Sequence, residues 1–263
     1  MRNDILSTYP TPQSEELLYP PQQWVEPETK ALTMDELIRS NRDLEQLAFA
    51  ASHDLQEPLK VISLYLEFFN KKYKGRLDEK ADQIIFSILD RSERMQKLVQ
   101  NMLSYAQVGK ENTPFVRIDS AVALTRAIEN LKVSIDENSA RITYDDCPVI
   151  MGDEVQLTQL FQNLINNAIK FRKKGELPYI HVSAKRTEGH WLFSIQDNGI
   201  GIDNEHIQGI FEIFKRLHAH SEYAGHGIGL ALCKRTVEFH RGNIWAASEI
   251  GQGTVIYFTI PQI

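Results

Sequence analysis

Apolar positions along the chain change their period partway, and the change divides the sequence in two. From about Thr33, apolar or small residues recur at Leu44, Ala48, Ala51, Leu55, Leu59, Ile62, Leu66 and Phe69. The steps are threes and fours, which is one stripe along a helix. Thr33 with Glu36 three residues later fits a capping box at its start. Gly75 breaks the pattern. A second stripe follows at Leu77, Ala81, Ile84, Ile88, Arg91, Met95, Leu98, Met102 and Tyr105, interrupted only by Arg91. Two long helices joined by a short turn predict an antiparallel hairpin. Two helices alone cover such stripes poorly, so a homodimeric four-helix bundle is the economical arrangement.

The helical period lapses in the Gly- and Pro-punctuated stretch Val-Gly-Lys-Glu-Asn-Thr-Pro over 108–114, which reads as a linker. Beyond it the pattern predicts a strand (115–118), a helix (about 120–136), a strand (140–145), a helix (about 153–171) and strands at 179–186 and 190–196. A long loop (about 198–226), a helix (227–240) and strands at 243–248 and 253–260 complete it. The expected fold class is an α helical hairpin forming a dimeric four-helix bundle, followed by an α/β sandwich with helices on one face of a mostly antiparallel sheet. The domains expected are a tail (1–32), the hairpin (33–108), the linker (109–114) and the sandwich (115–263). The tail holds Pro10, Pro12, Pro20, Pro21 and Pro27, five of the ten prolines, and is expected to be extended or disordered.

Composition narrows the partners. A net charge of -6 on 263 residues argues against nucleic acid, which wants a basic face. Two cysteines without paired spacing, Cys147 and Cys233, fit neither a disulfide framework nor a zinc site and suit a reducing, cytoplasmic compartment. No apolar run approaches the roughly 20 residues that span a bilayer, and no signal-peptide pattern opens the chain. Any sensor is therefore expected on another chain or in the short N-terminus.

Candidate chemistry begins with Ser52-His53-Asp54-Leu55-Gln56-Glu57-Pro58-Leu59. His53 lies two residues from Ala51 and from Leu55, about 200° around the helix from each, so it is expected to face away from the seam. Pro58 removes a helical hydrogen bond and crowds the carbonyl of Asp54, at a cost of about 3 kcal/mol. A bend one turn beyond the histidine is expected.

Four features follow in the second half. The helix from Gln156 is amphipathic, with Phe161, Leu164, Ile165 and Ala168 on its apolar side and Asn163, Asn167 and Lys170 on the other. Asparagine is a mediocre helix former, so that face suggests ligands, with carboxamide oxygens suited to Mg²⁺ and Lys170 to phosphate. Asp197-Asn-Gly199-Ile-Gly201 ends a strand in an acid followed by glycines. That acid can accept from an exocyclic amine, and glycine lets backbone approach a flat ligand. Gly225-His226-Gly227-Ile228-Gly229 opens a helix whose N-terminus favours phosphate. Between them, about 203–224, a long stretch with Phe211, Phe214, Lys215 and Arg216 has the length of a lid. Gly251-Gln252-Gly253-Thr254 is most simply a hairpin turn.

The order of these pieces resembles the Bergerat-type ATP-binding fold of sensor histidine kinases, over about residues 40 to 260. Asn163 and Asn167 match the N box, Asp197, Gly199 and Gly201 the first glycine box, Phe211 and Phe214 the F box, and Gly225, Gly227 and Gly229 the second glycine box. His53 with Asp54 matches the phosphoacceptor box, most like its phytochrome-related version. The resemblance implies Mg²⁺ at Asn163, phosphates at Asn167 and Lys170, the adenine amine at Asp197 and the γ-phosphate near Arg216. Thr254 joins the nucleotide residues. Asp54 would hold the tautomer of His53 that frees the attacking nitrogen.

The expected activity is ATP-dependent autophosphorylation of His53 by a homodimer, then transfer to an aspartate on a response regulator receiver domain. No receiver-like segment follows residue 263, so that aspartate is expected on another chain. Three positions depart from the family pattern. Glu57 stands where many members have Thr or Asn, the residue type tied to dephosphorylating the regulator. Ile213 replaces a proline and His226 a threonine. Two competing possibilities are a Bergerat-fold ATPase related to gyrase, mismatch-repair or chaperone ATPases, and a non-catalytic dimeric signalling scaffold. The helical hairpin with its histidine box argues against the ATPase. Ile213 and His226 are the scaffold's only support.

Overall fold

The computed structural model describes residues 33–109, 115–217, 223 and 226–262, with side chains at Ala50 and from Asp54 onward. The proline-containing tail, most of the linker, Gly225 and the side chains of Thr33, Glu36 and His53 lie outside the described residues. Helix α1 (Thr33–Tyr73) and helix α2 (Glu79–Gln107) form the hairpin. The turn between them is built by Gly75, whose φ of +73° suits glycine. Asp78 caps α2 by accepting from the Ala81 N–H at 2.7 Å, and the Gly75 N–H donates to Asp82. Pro58 lies inside α1, which continues across it.

The seam within the hairpin is offset from the predicted stripe. Leu59 and Ser63 of α1 and Ile85, Ser92, Val99, Leu103 and Ala106 of α2 are buried. Polar groups share that seam: Ser63 and Ser92 hydroxyls lie 2.6 Å apart, and Gln96 donates to Ser63 Oγ at 2.9 Å. The predicted stripe residues Leu55, Ile62, Phe69, Ile84, Ile88 and Met95 stay exposed, Leu55 at 52% and Ile84 at 51%. Two helices bury only the flank of the stripe that faces the neighbour, and its centre stays exposed.

The second part has strand β1 (Val116–Asp119), helices α3 (Ser120–Asn130) and α4 (Lys132–Asn138), and strands β2 (Arg141–Tyr144) and β3 (Val149–Gly152). Helix α5 (Glu154–Lys170) and strands β4 (Tyr179–Arg186) and β5 (His190–Asp197) follow. Helix α6 (Asn204–Ile207) runs into a 3₁₀ turn (Gln208–Phe211). Helix α7 (Gly229–Phe239) and strands β6 (Ile244–Glu249) and β7 (Gly253–Pro261) end the chain's described part. The main sheet has the order β2-β4-β5-β7-β6. Only β2 with β4 is parallel, which fits a mostly antiparallel sheet. Strand β1 pairs with β3 in a separate two-stranded sheet.

Helices α5 and α7 pack on the main sheet, and α3 packs on α5. The core between them is centred on Phe161, Phe193 and Phe258, all fully buried. The last two rings stack at 4.8 Å, and Phe161 meets both edge-on. Several details differ from the sequence expectation, among them helix α6 and the 3₁₀ turn inside the loop expected over about 198–226. The helix expected over 120–136 divides at Leu131, whose buried side chain serves the core while its N–H bonds back to Ala127 and Ile128 carbonyls. Strand β3, Val149–Gly152, is four residues long, too short for periodicity to reveal.

Candidate functional site

Helix α5 sets one wall of the site. Asp153 caps it, its Oδ1 accepting from the Val155 and Gln156 N–H groups. Leu157, Leu160, Phe161, Leu164, Ile165, Ala168 and Ile169 bury one side, which turns half-buried Asn163 and Asn167 and the helix-end Lys170 toward a cavity of about 640 Å³. Asp197, Gly201, Arg216, Gly227, Gly229 and Thr254 line the same cavity. The sequence-nominated residues of five separate elements thus converge. Gly199 lies beneath, its N–H donating to Asp197 Oδ1 at 2.8 Å, and Phe211 packs on the core. Asp54 is not part of this lining, and it is exposed on α1.

Electrostatics differ between the ends of the cavity. Burial raises the Asp197 carboxyl to about 6, while N–H bonds from Gly199 and Thr254 hold it down. Both donors land on Oδ1, which leaves Oδ2 as the oxygen on offer to a ligand's amine. Burial, and then the charge of Arg216, lower the Lys170 ammonium to about 8. Its Nζ sits 4.2 Å from the centre of the Phe171 ring. Lys215 and Arg216 complete a cationic end. A carboxylate at one end and cations at the other suit a ligand with an amine and an anionic tail.

The glycines permit close backbone approach. Gly227 has φ +71°, and a Cβ there would lie 2.8 Å from the Lys215 carbonyl oxygen. That contact belongs to a clasp in which the Phe214 N–H donates to the Gly227 carbonyl at 2.8 Å. Phe214 itself takes φ +64°, unusual for a bulky side chain, so the lid is tied to the glycine-rich turn by strained backbone. No side chain caps α7, and its first residues, Gly229 and Leu230, line the cavity, where uncapped N–H groups favour an anion.

Sequence reasoning missed the remaining wall. Asp90, Glu93, Arg94, Lys97 and Asn101 of α2 line the cavity too. Asp90, Arg94, Lys97 and Asn101 follow at steps of four, three and four, which marks one helical face, and that polar periodicity was the available signal. Contacts at the base of α7 hold α2 in place. Arg235 lies over the Tyr105 ring at 4.7 Å, and Phe239 packs against Gly109.

A hairpin bearing the histidine box, joined to a one-sided sandwich with this polarised cavity, is an arrangement of the phosphotransfer class. Residues 43–111 match the model of the His Kinase A (phospho-acceptor) domain. Residues 152–263 match that of the histidine kinase-, DNA gyrase B- and HSP90-like ATPases. The chain belongs to the histidine kinases, as a transmitter region of phytochrome-related type. Cyanobacterial phytochrome A of Nostoc is 46% identical over 86% of this chain and 29% of its own length. Phytochrome-like protein Cph1 of Synechocystis is 43% identical over 86% of this chain and 30% of its own. The chain thus spans about three tenths of these relatives. The crystal structure of full-length ShkA in complex with AMPPNP shares the fold at a TM-score of 0.65 and 23% identity, covering 82% of this chain and 45% of that one.

Proposed function

We propose that the chain is a homodimeric protein histidine kinase that phosphorylates His53 from Mg·ATP and passes the group to an aspartate of a receiver domain on another chain. The observation that carries this is the polarised cavity, acid at one end and cations at the other, on a chain that also presents the histidine box. Residues 33–108 act as the dimerisation and phosphotransfer domain, 109–114 as linker and 115–263 as the ATP-binding domain. Asp197 accepts from the adenine amine, with Gly199, Gly201 and Thr254 shaping that end. Asn167, Lys170, Arg216 and the glycines Gly225, Gly227 and Gly229 meet the phosphates, and Phe211 anchors the lid.

Magnesium fits the donor set. The described residues include no cluster of three His, Cys, Asp or Glu side chains able to hold a metal. The ion would therefore take its oxygens from Asn163 Oδ1, water and ligand phosphates, as Mg²⁺ does. Asn163 Oδ1 takes one long bond from Gln159, at 3.4 Å, and faces the glycine-rich start of α7, 3.9 Å from where a Gly229 Cβ would stand. In the transfer, a His53 ring nitrogen lone pair attacks the γ-phosphorus, the bond to the bridging oxygen breaks, and ADP leaves. Asp54 holds the proton on the other ring nitrogen. Positioning and charge neutralisation supply most of such catalysis.

The exposed centre of the hairpin stripe supports a dimer. A second apolar face supports the receiver: Val61, Leu64, Tyr65 and Phe68 are exposed and fall on the helical face of positions 53 and 57. No helix among the described residues is long and apolar enough to cross a membrane. Incubation with γ-labelled ATP, then a chase with candidate receiver domains, tests the proposal. Label should move from the chain to a receiver aspartate. Label that never enters the chain while phosphate is released would favour a plain ATPase.

A further inference from the structure

The wall that α2 contributes has no place in the function just proposed. Asp90, Arg94, Lys97, Asn101 and Tyr105 follow each other at steps of four, three, four and four, so they form one face of α2. The buried seam residues Ser92, Val99, Leu103 and Ala106 lie on the opposite face. The polar face turns to the sandwich, and its first four members line the cavity. Tyr105 under Arg235 fixes its lower end.

Charge decides what this face is for. Arg94 is committed to Asp90, with Nε 3.0 Å and Nη2 2.7 Å from its two carboxylate oxygens. Lys97 faces the same void as Lys170, Lys215 and Arg216, where Lys215 also pairs with Glu212 at 3.7 Å, and Glu93 and Asp197 are the other acids of the lining. Cations gathered around one void repel one another at short range. The depressed ammonium of Lys170 records part of that repulsion. An anion placed among them converts repulsion into attraction. The geometry points to Lys97 as a phosphate-binding residue supplied by the hairpin, with Asn101 beside it, so that the nucleotide is held between the hairpin and the sandwich of one chain. This rests on the adenine nucleotide assignment above.

The test is calorimetric titration of the full chain and of its Lys97→Ala and Lys97→Glu variants with Mg·ATP and with adenosine. Lys97 is exposed, so its replacement leaves the fold intact and a modest effect is expected, roughly a three- to fivefold loss of ATP affinity in Lys97→Ala. The loss should be larger in Lys97→Glu, smaller at high salt, and absent for adenosine. Wild-type binding matched by both variants overturns the inference alone. Equal losses for ATP and adenosine overturn the phosphate contact. A wild-type chain that binds neither ligand overturns the nucleotide assignment and this inference with it.

Discussion

Burial pushes the Asp197 carboxyl up and two backbone N–H groups pull it down, with the balance at about 6. An amine donor needs the ionised carboxylate, so adenosine affinity should fall as pH drops below about 6. Asp197→Asn should bind more weakly and lose this dependence. At the other end Lys170 titrates at about 8, and its charged form binds phosphate. ATP affinity should therefore fall again as pH rises through 8, in the wild type but not in Lys170→Ala, and adenosine should lack that alkaline limb. Titrations from pH 5 to 9 check both. These residues were legible in the sequence because each is written locally: an acid ending an apolar strand, asparagines on one helical face. Lys97 was not. It is an ordinary surface lysine until α2 docks on α7, and that docking joins Tyr105 to Arg235 and Gly109 to Phe239, pairs remote in sequence.

Among the elements, the hairpin was read well in outline and shifted in detail. Periodicity located one apolar stripe per helix, but a helix with neighbours on two sides needs a broader face. The exposed Ile62 and Phe69 mark the side that the proposed dimer would cover. Ile62→Glu should turn a dimer into a monomer in sedimentation velocity and leave ATP binding unchanged. A dimer that survives would remove this face from the interface. Helix α7 depends on a contact that periodicity does not show. His240, buried just beyond its end, directs Nδ1 to the Thr236 carbonyl at 2.8 Å and accepts the Asp153 N–H on Nε2 at 3.0 Å. Its ring also stacks on Phe115. Burial lowers its pKa from the ordinary 6.5. The unfolded chain therefore takes up a proton that the folded one refuses, and stability is lost as pH falls below 6.5. His240→Gln should cost about 1–3 kcal/mol at pH 7 and show a flatter decline toward pH 5, measured by urea unfolding.

At the scale of the molecule, two bodies that periodicity separates are joined through one helix. The N-terminus of α7 opens on the cavity at Gly229, and its C-terminus meets the end of α2 and the start of β1 through Phe239 and His240. The order of motifs was enough to reveal both bodies. How they sit against each other depends on side chains that are unremarkable one at a time. The account as a whole requires that phosphate from the cavity end on one histidine of the hairpin. The most direct measurement is incorporation of label from γ-labelled ATP into the full chain and its His53→Gln variant, with ATP affinity measured alongside. The account predicts acid-labile label in the wild type, none in the variant, and equal ATP affinity in both. Undiminished acid-labile labelling of His53→Gln would contradict it.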